Sequence, residues 1–308
     1  MKHLSTILGP TAIGKTSLSI IVANHFKCEI VSCDSRQFFK EMTIGTAVPS
    51  TTELEAAPHH FIQNKSILEN YTVGDFENEA IKKIEELFLD NDHVVLVGGS
   101  GLYVNAVLQG FDEFPEIDLV VRENVKANYE KLGIHYLQEQ LRVCDSEYFE
   151  QIKTENPQTL QNPQRLMRFV EVCIGSRKPY STFLNQKKNS RNFAPILIGL
   201  EAERSIIYNR INERVDLMIQ EGLKAEAKGI YSNKDMNALQ TVGYRELFSY
   251  FDGDFTLEFA IEEIKKNTRR FAKRQLTWFK RDANTNWFDY LTPKDEIIDY
   301  INSKINKT

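Results

Sequence analysis

Short runs rich in apolar residues alternate with amphipathic stretches over the first hundred positions. The runs are residues 4–8, 29–33 and Val94 to Val97. They lack a steady polar alternation, which suits parallel strands covered on both faces. Between them, Lys15 to Phe26 and Thr72 to Phe88 read as helices. In the second, Val73, Phe76, Ala80, Ile84 and Leu87 recur at spacings of three and four. Each helix is able to close a right-handed crossover. After Gly110 the texture changes. Phe111 to Asp118 is acidic and contains a proline, and helical patterns follow at about 120–131, 134–142, 145–153 and 162–174, punctuated by Asn156-Pro157 and Asn162-Pro163. A core strand returns at Ala194 to Leu200. Helices over Glu203 to Gln220 and Leu257 to Arg281 come next, and a strand and helix close the chain after Asp282. The expected fold is α/β: a P-loop parallel-sheet core (1–112 and 194–308) with helices on both faces, interrupted by a mainly helical insertion domain (113–193).

Composition narrows the class only slightly. With 308 residues and 42% hydrophobic content the chain is long enough for one large core or two smaller ones. A net charge of −5 gives no global sign of nucleic-acid binding, so any such surface has to be local. Cys28, Cys33, Cys144 and Cys173 have no metal-type spacing and suit reduced core positions, which points to the cytoplasm. The first strand starts almost at once, leaving no room for a leader, and no apolar run approaches membrane-spanning length. No membrane association is expected.

The chemistry starts at Gly9-Pro10-Thr11-Ala12-Ile13-Gly14-Lys15-Thr16: two glycines with four residues between them, then Lys-Thr, set between a strand and a helix. This is the phosphate-binding loop pattern in its required context. The backbone of Gly9, Thr11, Ala12, Ile13 and Gly14 would wrap an anion at the helix N-terminus, Lys15 would reach a terminal phosphate, and Thr16 would ligate a magnesium ion on the phosphate oxygens. A nucleotide hydrolase also needs an acid at another strand end. The strand at Val94 to Val97 instead runs into Gly98-Gly99-Ser100-Gly101. The acid is Asp34, after the second strand, where it could support the metal, cap the following segment, or act as a general base.

The set Gly9 to Thr16, Asp34-Ser35 with Gln37, Ile44 to Ala47, Pro58-His59-His60, Tyr71-Thr72-Val73 with Asp75-Phe76, and Gly98 to Tyr103 resembles bacterial tRNA dimethylallyltransferases, in the same order. Asn162 to Leu166, the helix with Arg210 and Arg214, Gln240 to Tyr244, and Arg269 to Trp278 extend the resemblance over nearly the whole chain. It implies transfer of a dimethylallyl group from dimethylallyl diphosphate to N6 of adenosine 37, beside the tRNA anticodon, with Mg2+ as cofactor and a monomer as the working form. Asp34 matches the family's catalytic Asp. Thr16 and Ser100 match its hydroxyl residues near the metal and diphosphate, Ser100 standing where Thr is usual. Arg214 matches the arginine on the diphosphate, and Arg210 is the second candidate. The same resemblance puts Asp34, Ser35, Gln37 and Gln240, and Pro163, Gln164, Arg165 and Arg168 of the insertion, against tRNA. Val48 and Phe39 depart from the family's usual Lys and Tyr, and no role is carried to them.

One stretch is strongly basic. Lys265, Lys266, Arg269, Arg270, Lys273, Arg274, Lys280 and Arg281 have no acid among them before Asp282 and are interleaved with Phe271, Trp278 and Phe279. Such a helix face suits a phosphate backbone, though charge alone also fits an ordinary solvated face. Arg269, Arg270, Lys273 and Arg274 are the expected tRNA contacts. The adjacent His59 and His60 have no evident carboxylate partner, and a substrate-loop or structural role is expected for them. The rival readings are an adenylate isopentenyltransferase acting on free nucleotide, a P-loop small-molecule kinase, and a noncatalytic tRNA-binding protein.

Overall fold

A computed structural model describes residues 1–184 and 191–306. The end of the expected insertion, 185–190, and the last two residues lie outside the described part. Six parallel strands, β1 (His3–Leu8), β2 (Ile30–Ser32), β3 (His59–His60), β4 (His93–Val97), β5 (Ala194–Glu201) and β6 (Asn286–Asp289), form one sheet in the order β3-β2-β4-β1-β5-β6. Alternation along β4 shows why the run is continuously apolar. Val94 and Leu96 join one hydrophobic cluster, and Val95 and Val97 join the other. Between neighbouring strands, His93 Nε2 lies 2.9 Å from Ser5 Oγ, and the His93 ring stacks on Phe26.

Helices cover both faces. One cluster draws on α1 (Lys15–Phe26), α9 (Arg204–Gln220), α12 (Leu257–Phe279) and α13 (Lys294–Ile305), through Leu18, Val22, Ile207, Ile211, Ala272 and Ile297. The other draws on α3 (Val73–Asp90) and α4 (Gly101–Gln109). The stripe of α3 is Phe76, Ala80, Ile84 and Phe88, one residue per turn. Its start is set by a capping box in which Thr72 Oγ1 accepts from Asp75 N–H and Asp75 accepts from Thr72 N–H. Short helices α2 (Thr51–Ala56), α10 (Leu223–Gly229) and α11 (Tyr244–Asp252) complete this part, and a third cluster around Met42, Leu239, Tyr244 and Leu247 packs α10 and α11.

The chain divides into two compact units, residues 1–109 with 191–308, and residues 110–190. The second contains α5 (Leu119–Leu132), α6 (Ile134–Cys144), α7 (Ser146–Glu155) and α8 (Pro163–Ser176) around its own core of Leu137, Leu141, Leu166 and Val170. Asn162 Oδ1 accepts from Arg165 N–H, and Pro163 follows the cap, so the Asn-Pro pair starts α8. Asp145 does the same for α7 and also accepts from Ser181 N–H at 2.7 Å. Among the described residues no helix is long and apolar enough to cross a membrane.

One expectation needs correcting. His59 and His60 form the edge strand β3, and His60 does have a carboxylate partner, Glu29 Oε2 at 2.6 Å from its Nε2. Because side chains alternate across a strand, only one of the two faces Glu29.

Candidate active site

In an open parallel sheet, ligands collect beyond the carboxyl ends of the strands. Here the segments leaving β1, β2 and β4 border a cleft of about 600 Å³ lined by Thr11, Asp34, Ser35, Ser100, Arg214 and Gln275, among others. The loop after β1 has the backbone its sequence requires. Gly9 has φ 146°, and a Cβ there would lie 2.7 Å from the Leu200 carbonyl oxygen. Gly14 (φ 107°) caps α1 in the left-handed region, and Ala12 also has a positive φ of 64°. Ile13 is buried and packs into the core below, while Lys15 and Thr16 open α1, whose first-turn amides have no partner one turn back.

Two polar groups of this loop are already engaged. The Lys15 ammonium donates to the Pro10 carbonyl at 2.8 Å, and Thr11 N–H donates to Gln275 Oε1 at 2.8 Å. Burial pushes Lys15 down to about 8, opposed by the Asp34 charge and reinforced by Arg214. Arg210 does not line the cleft: its Nε donates to the Ala12 carbonyl at 2.7 Å, so it braces the loop from behind. Arg214, one turn on, lines the cleft, and burial followed by the Arg210 charge lowers its pKa. The two candidate arginines thus occupy different positions, Arg214 at the cleft and Arg210 against the loop backbone.

Asp34 sits two residues past β2. Its Oδ1 accepts from Arg36 N–H at 3.2 Å, so it closes a turn, and it also lines the cleft. Burial raises its carboxyl pKa, while the Arg36 N–H and the Lys15 charge oppose the rise. Ser100 links the two strand exits, lying 3.1 Å from Ser35 Oγ and accepting from Ser35 N–H at 3.1 Å. Gln37 turns away to donate to the Thr46 and Ala47 carbonyls, which secures the 43–47 segment. Gln240 lines the cleft and donates to the Lys234 carbonyl.

The basic segment divides in three. Lys265 pairs with Asp216 and Glu262, Lys266 with Glu263, and Lys280 with Glu201, so these charges are neutralised by acids outside the run. Arg269 donates to Asn212 Oδ1 at 2.7 Å and ties α12 to α9, while Arg270 bonds Asn267 on its own helix. Lys273 and Arg274 remain exposed, Arg274 stacking over Phe271 at the cleft. In the second unit, Gln164, Arg165 and Arg168 line a separate hollow of about 740 Å³ at the start of α8, beside Pro163. Arg165 also reaches Thr159, and Arg168 lies over the Phe114 ring.

Three contributors escaped sequence reasoning. Arg36 donates to the carbonyls of Asn237 and Ala238 and fixes the turn after Asp34. Glu226 accepts from the N–H groups of Thr43, Ile44 and Gly45 and from the Tyr244 hydroxyl. Gln275 was passed over among its basic neighbours, although a polar residue on the stripe between buried Ala272 and Phe279 is a readable signal.

Comparison with known proteins agrees over the full length. A family model described as IPP transferase matches residues 37–282. The tRNA dimethylallyltransferase of Flavobacterium johnsoniae is 76% identical over 301 residues, 98% of this chain and 97% of that one. The tRNA dimethylallyltransferase 1 of Bacteroides fragilis is 40% identical over 304 residues, 99% of each. The crystal structure of the full-length tRNA isopentenylpyrophosphate transferase of Bacillus halodurans superposes with a TM-score of 0.74 at 36% identity, covering 100% of this chain and 98% of that one. A eukaryotic dimethylallyltransferase acting on tRNA shares the fold, with a TM-score of 0.76 at 24% identity, covering 100% of this chain and 80% of that one. By the extent of the family match and by these full-length relatives, the chain belongs to the IPP transferase family.

Proposed function

We infer that the protein transfers a dimethylallyl group from dimethylallyl diphosphate to N6 of adenosine 37 in tRNA, releasing diphosphate. The observation that carries this reading is the joint placement, in one cleft, of the phosphate loop's Thr11, the carboxylate of Asp34 and the guanidinium of Arg214. An anion clamp alone would serve many phosphate chemistries. A desolvated carboxylate beside it adds a proton acceptor for a weak nucleophile.

In the reaction the bond between the allylic carbon and the diphosphate oxygen breaks, and a bond from N6 to that carbon forms. The N6 proton goes to Asp34, and the electron pair leaves with the diphosphate. Lys15, Arg214 and the α1 amides stabilise the charge that develops on the leaving group. The raised pKa of Asp34 makes it a stronger base for the exocyclic amine than an exposed carboxylate would be. The adenine has to leave its stack to reach the cleft, as base-modifying enzymes generally require.

The donor set fits magnesium. The Thr16 hydroxyl, at the head of α1, is a hard oxygen ligand of the kind this ion takes alongside substrate phosphates, and Thr16 would hold it. When bound, the ion supplies Lewis-acid neutralisation of the diphosphate. The exposed pair Lys273 and Arg274 and the α8 residues Gln164, Arg165 and Arg168 are the proposed tRNA contacts, and a monomer is the proposed working form.

Incubation with magnesium, dimethylallyl diphosphate and unmodified tRNA, followed by digestion and mass spectrometry of the nucleosides, tests donor, acceptor and position together. N6-dimethylallyladenosine at position 37 is expected, with no product from AMP alone. Product from AMP at a rate matching tRNA would overturn the acceptor, and ATP turnover without prenyl transfer would overturn the reaction.

A further inference from the structure

We propose that Gln275 is a positioning residue for the transfer, holding the leaving-group loop in register with the strand end that carries Ser100. This rests on the prenyl-transfer reading above. Gln275 is 5% exposed on α12, between Ala272 and Phe279 on the stripe where the helix buries itself. A side-chain amide in that position is costly unless both its ends are bonded, and both are. Oε1 accepts from Thr11 N–H at 2.8 Å, and Nε2 donates to the Gly99 carbonyl at 2.9 Å.

The surroundings are built to its size. A Cβ on Gly99 would sit 2.3 Å from Gln275 Nε2, so only glycine lets the amide approach. The two bonded loops carry different parts of the chemistry: Thr11 belongs to the diphosphate cradle, while Gly99 precedes Ser100, which bonds Ser35 beside Asp34. One side chain therefore sets the spacing between the leaving-group cradle and the base-bearing turn. A small misplacement between such groups costs a large factor in rate. The amide is suited to this because it has a donor at one end and an acceptor at the other. A carboxylate still accepts from Thr11 but sets lone pair against lone pair at Gly99, whereas a protonated acid restores both bonds.

That contrast supplies the test, made on the full-length protein as wild type, Gln275→Met and Gln275→Glu. Measured quantities are kcat and KM for dimethylallyl diphosphate, the Kd for an anticodon stem-loop RNA, and Tm. Gln275→Met is expected to lose kcat by about tenfold to a hundredfold while RNA affinity and the folded fraction at the assay temperature stay at wild-type values, with Tm lowered because the Thr11 N–H and the Gly99 carbonyl lose their partner. Activity of Gln275→Glu, expressed as a ratio to wild type at each pH, is expected to rise as the pH falls from 8 to 6. Around the amide stand Lys15 on α1, Asp34 after β2, Arg214 on α9 and Arg274 on α12; titration common to both proteins divides out, and an introduced carboxylate that held Lys15 charged would raise the ratio at pH 8, opposite to the expected trend. Unchanged kcat in Gln275→Met, a loss matched by a lower folded fraction, or a flat Gln275→Glu ratio would each overturn the role. Wild type that forms no prenylated adenosine would overturn the reaction itself, a distinct outcome.

Discussion

Lys15 and Asp34 are held in opposite directions by the same dry surroundings. Lys15 is pushed down to about 8, and Asp34 is raised. The ammonium is lost as pH climbs through about 8, and the base is lost as pH drops through the raised carboxyl value. The profile of kcat/KM for dimethylallyl diphosphate is therefore expected to be bell-shaped, with its alkaline limb near pH 8. Lys15→Arg keeps its charge at any working pH, so it should move that limb upward; an unmoved limb would mean that another group titrates. Asp34 also bears on stability. With a folded-state pKa above the unfolded one, its charge costs stability at neutral pH, and the cost disappears once pH falls below the unfolded value. Asp34→Asn still accepts from Arg36 N–H, so its Tm should be no lower than wild type while single-turnover transfer falls by about a hundredfold. Transfer close to the wild-type rate would reject Asp34 as the base.

Among the elements, the segment 43–47 shows what sequence can and cannot disclose. Glu226 on α10 ties down three successive backbone amides and the Tyr244 hydroxyl, and a Cβ at Gly45 would lie 2.6 Å from the Tyr244 ring. Glu226→Ala leaves those donors without their acceptor. It is expected to lower unfolding free energy by about 2 kcal/mol in denaturant titration and to raise KM for tRNA, because Gly45 to Ala47 line the cleft. Equal stability of variant and wild type would show that water replaces the carboxylate. The strands of the core were legible because burial on both faces leaves a continuous apolar run, as in β4. The loop after β1 was legible because its glycines serve a local backbone need. Glu226 was not: it acts on residues some 180 positions away, and nothing in its neighbourhood distinguishes it from a solvated helix acid. β3 was missed because its two residues pair through their backbone, which leaves no pattern in the side chains. The basic segment was half legible, since its charges can be counted in sequence but the acids that neutralise Lys265 and Lys280 come from other elements.

For the whole molecule, a net charge of −5 means that attraction to RNA depends on a few local cations. Lys273→Ala and Arg274→Ala should each flatten the dependence of log Kd for tRNA on log salt by about one, with little change in KM for dimethylallyl diphosphate from Lys273→Ala. An unaltered slope in both variants would place the RNA elsewhere. The hydrogen bond between Thr11 and Gln275 spans 264 residues, so the loop waits, during synthesis, for a helix made that much later before its cleft is complete. At ribosomal speeds that interval is roughly 10–50 s. A nascent chain in that interval holds an anion-binding loop without its clamp, so catalytic competence cannot precede the emergence of α12.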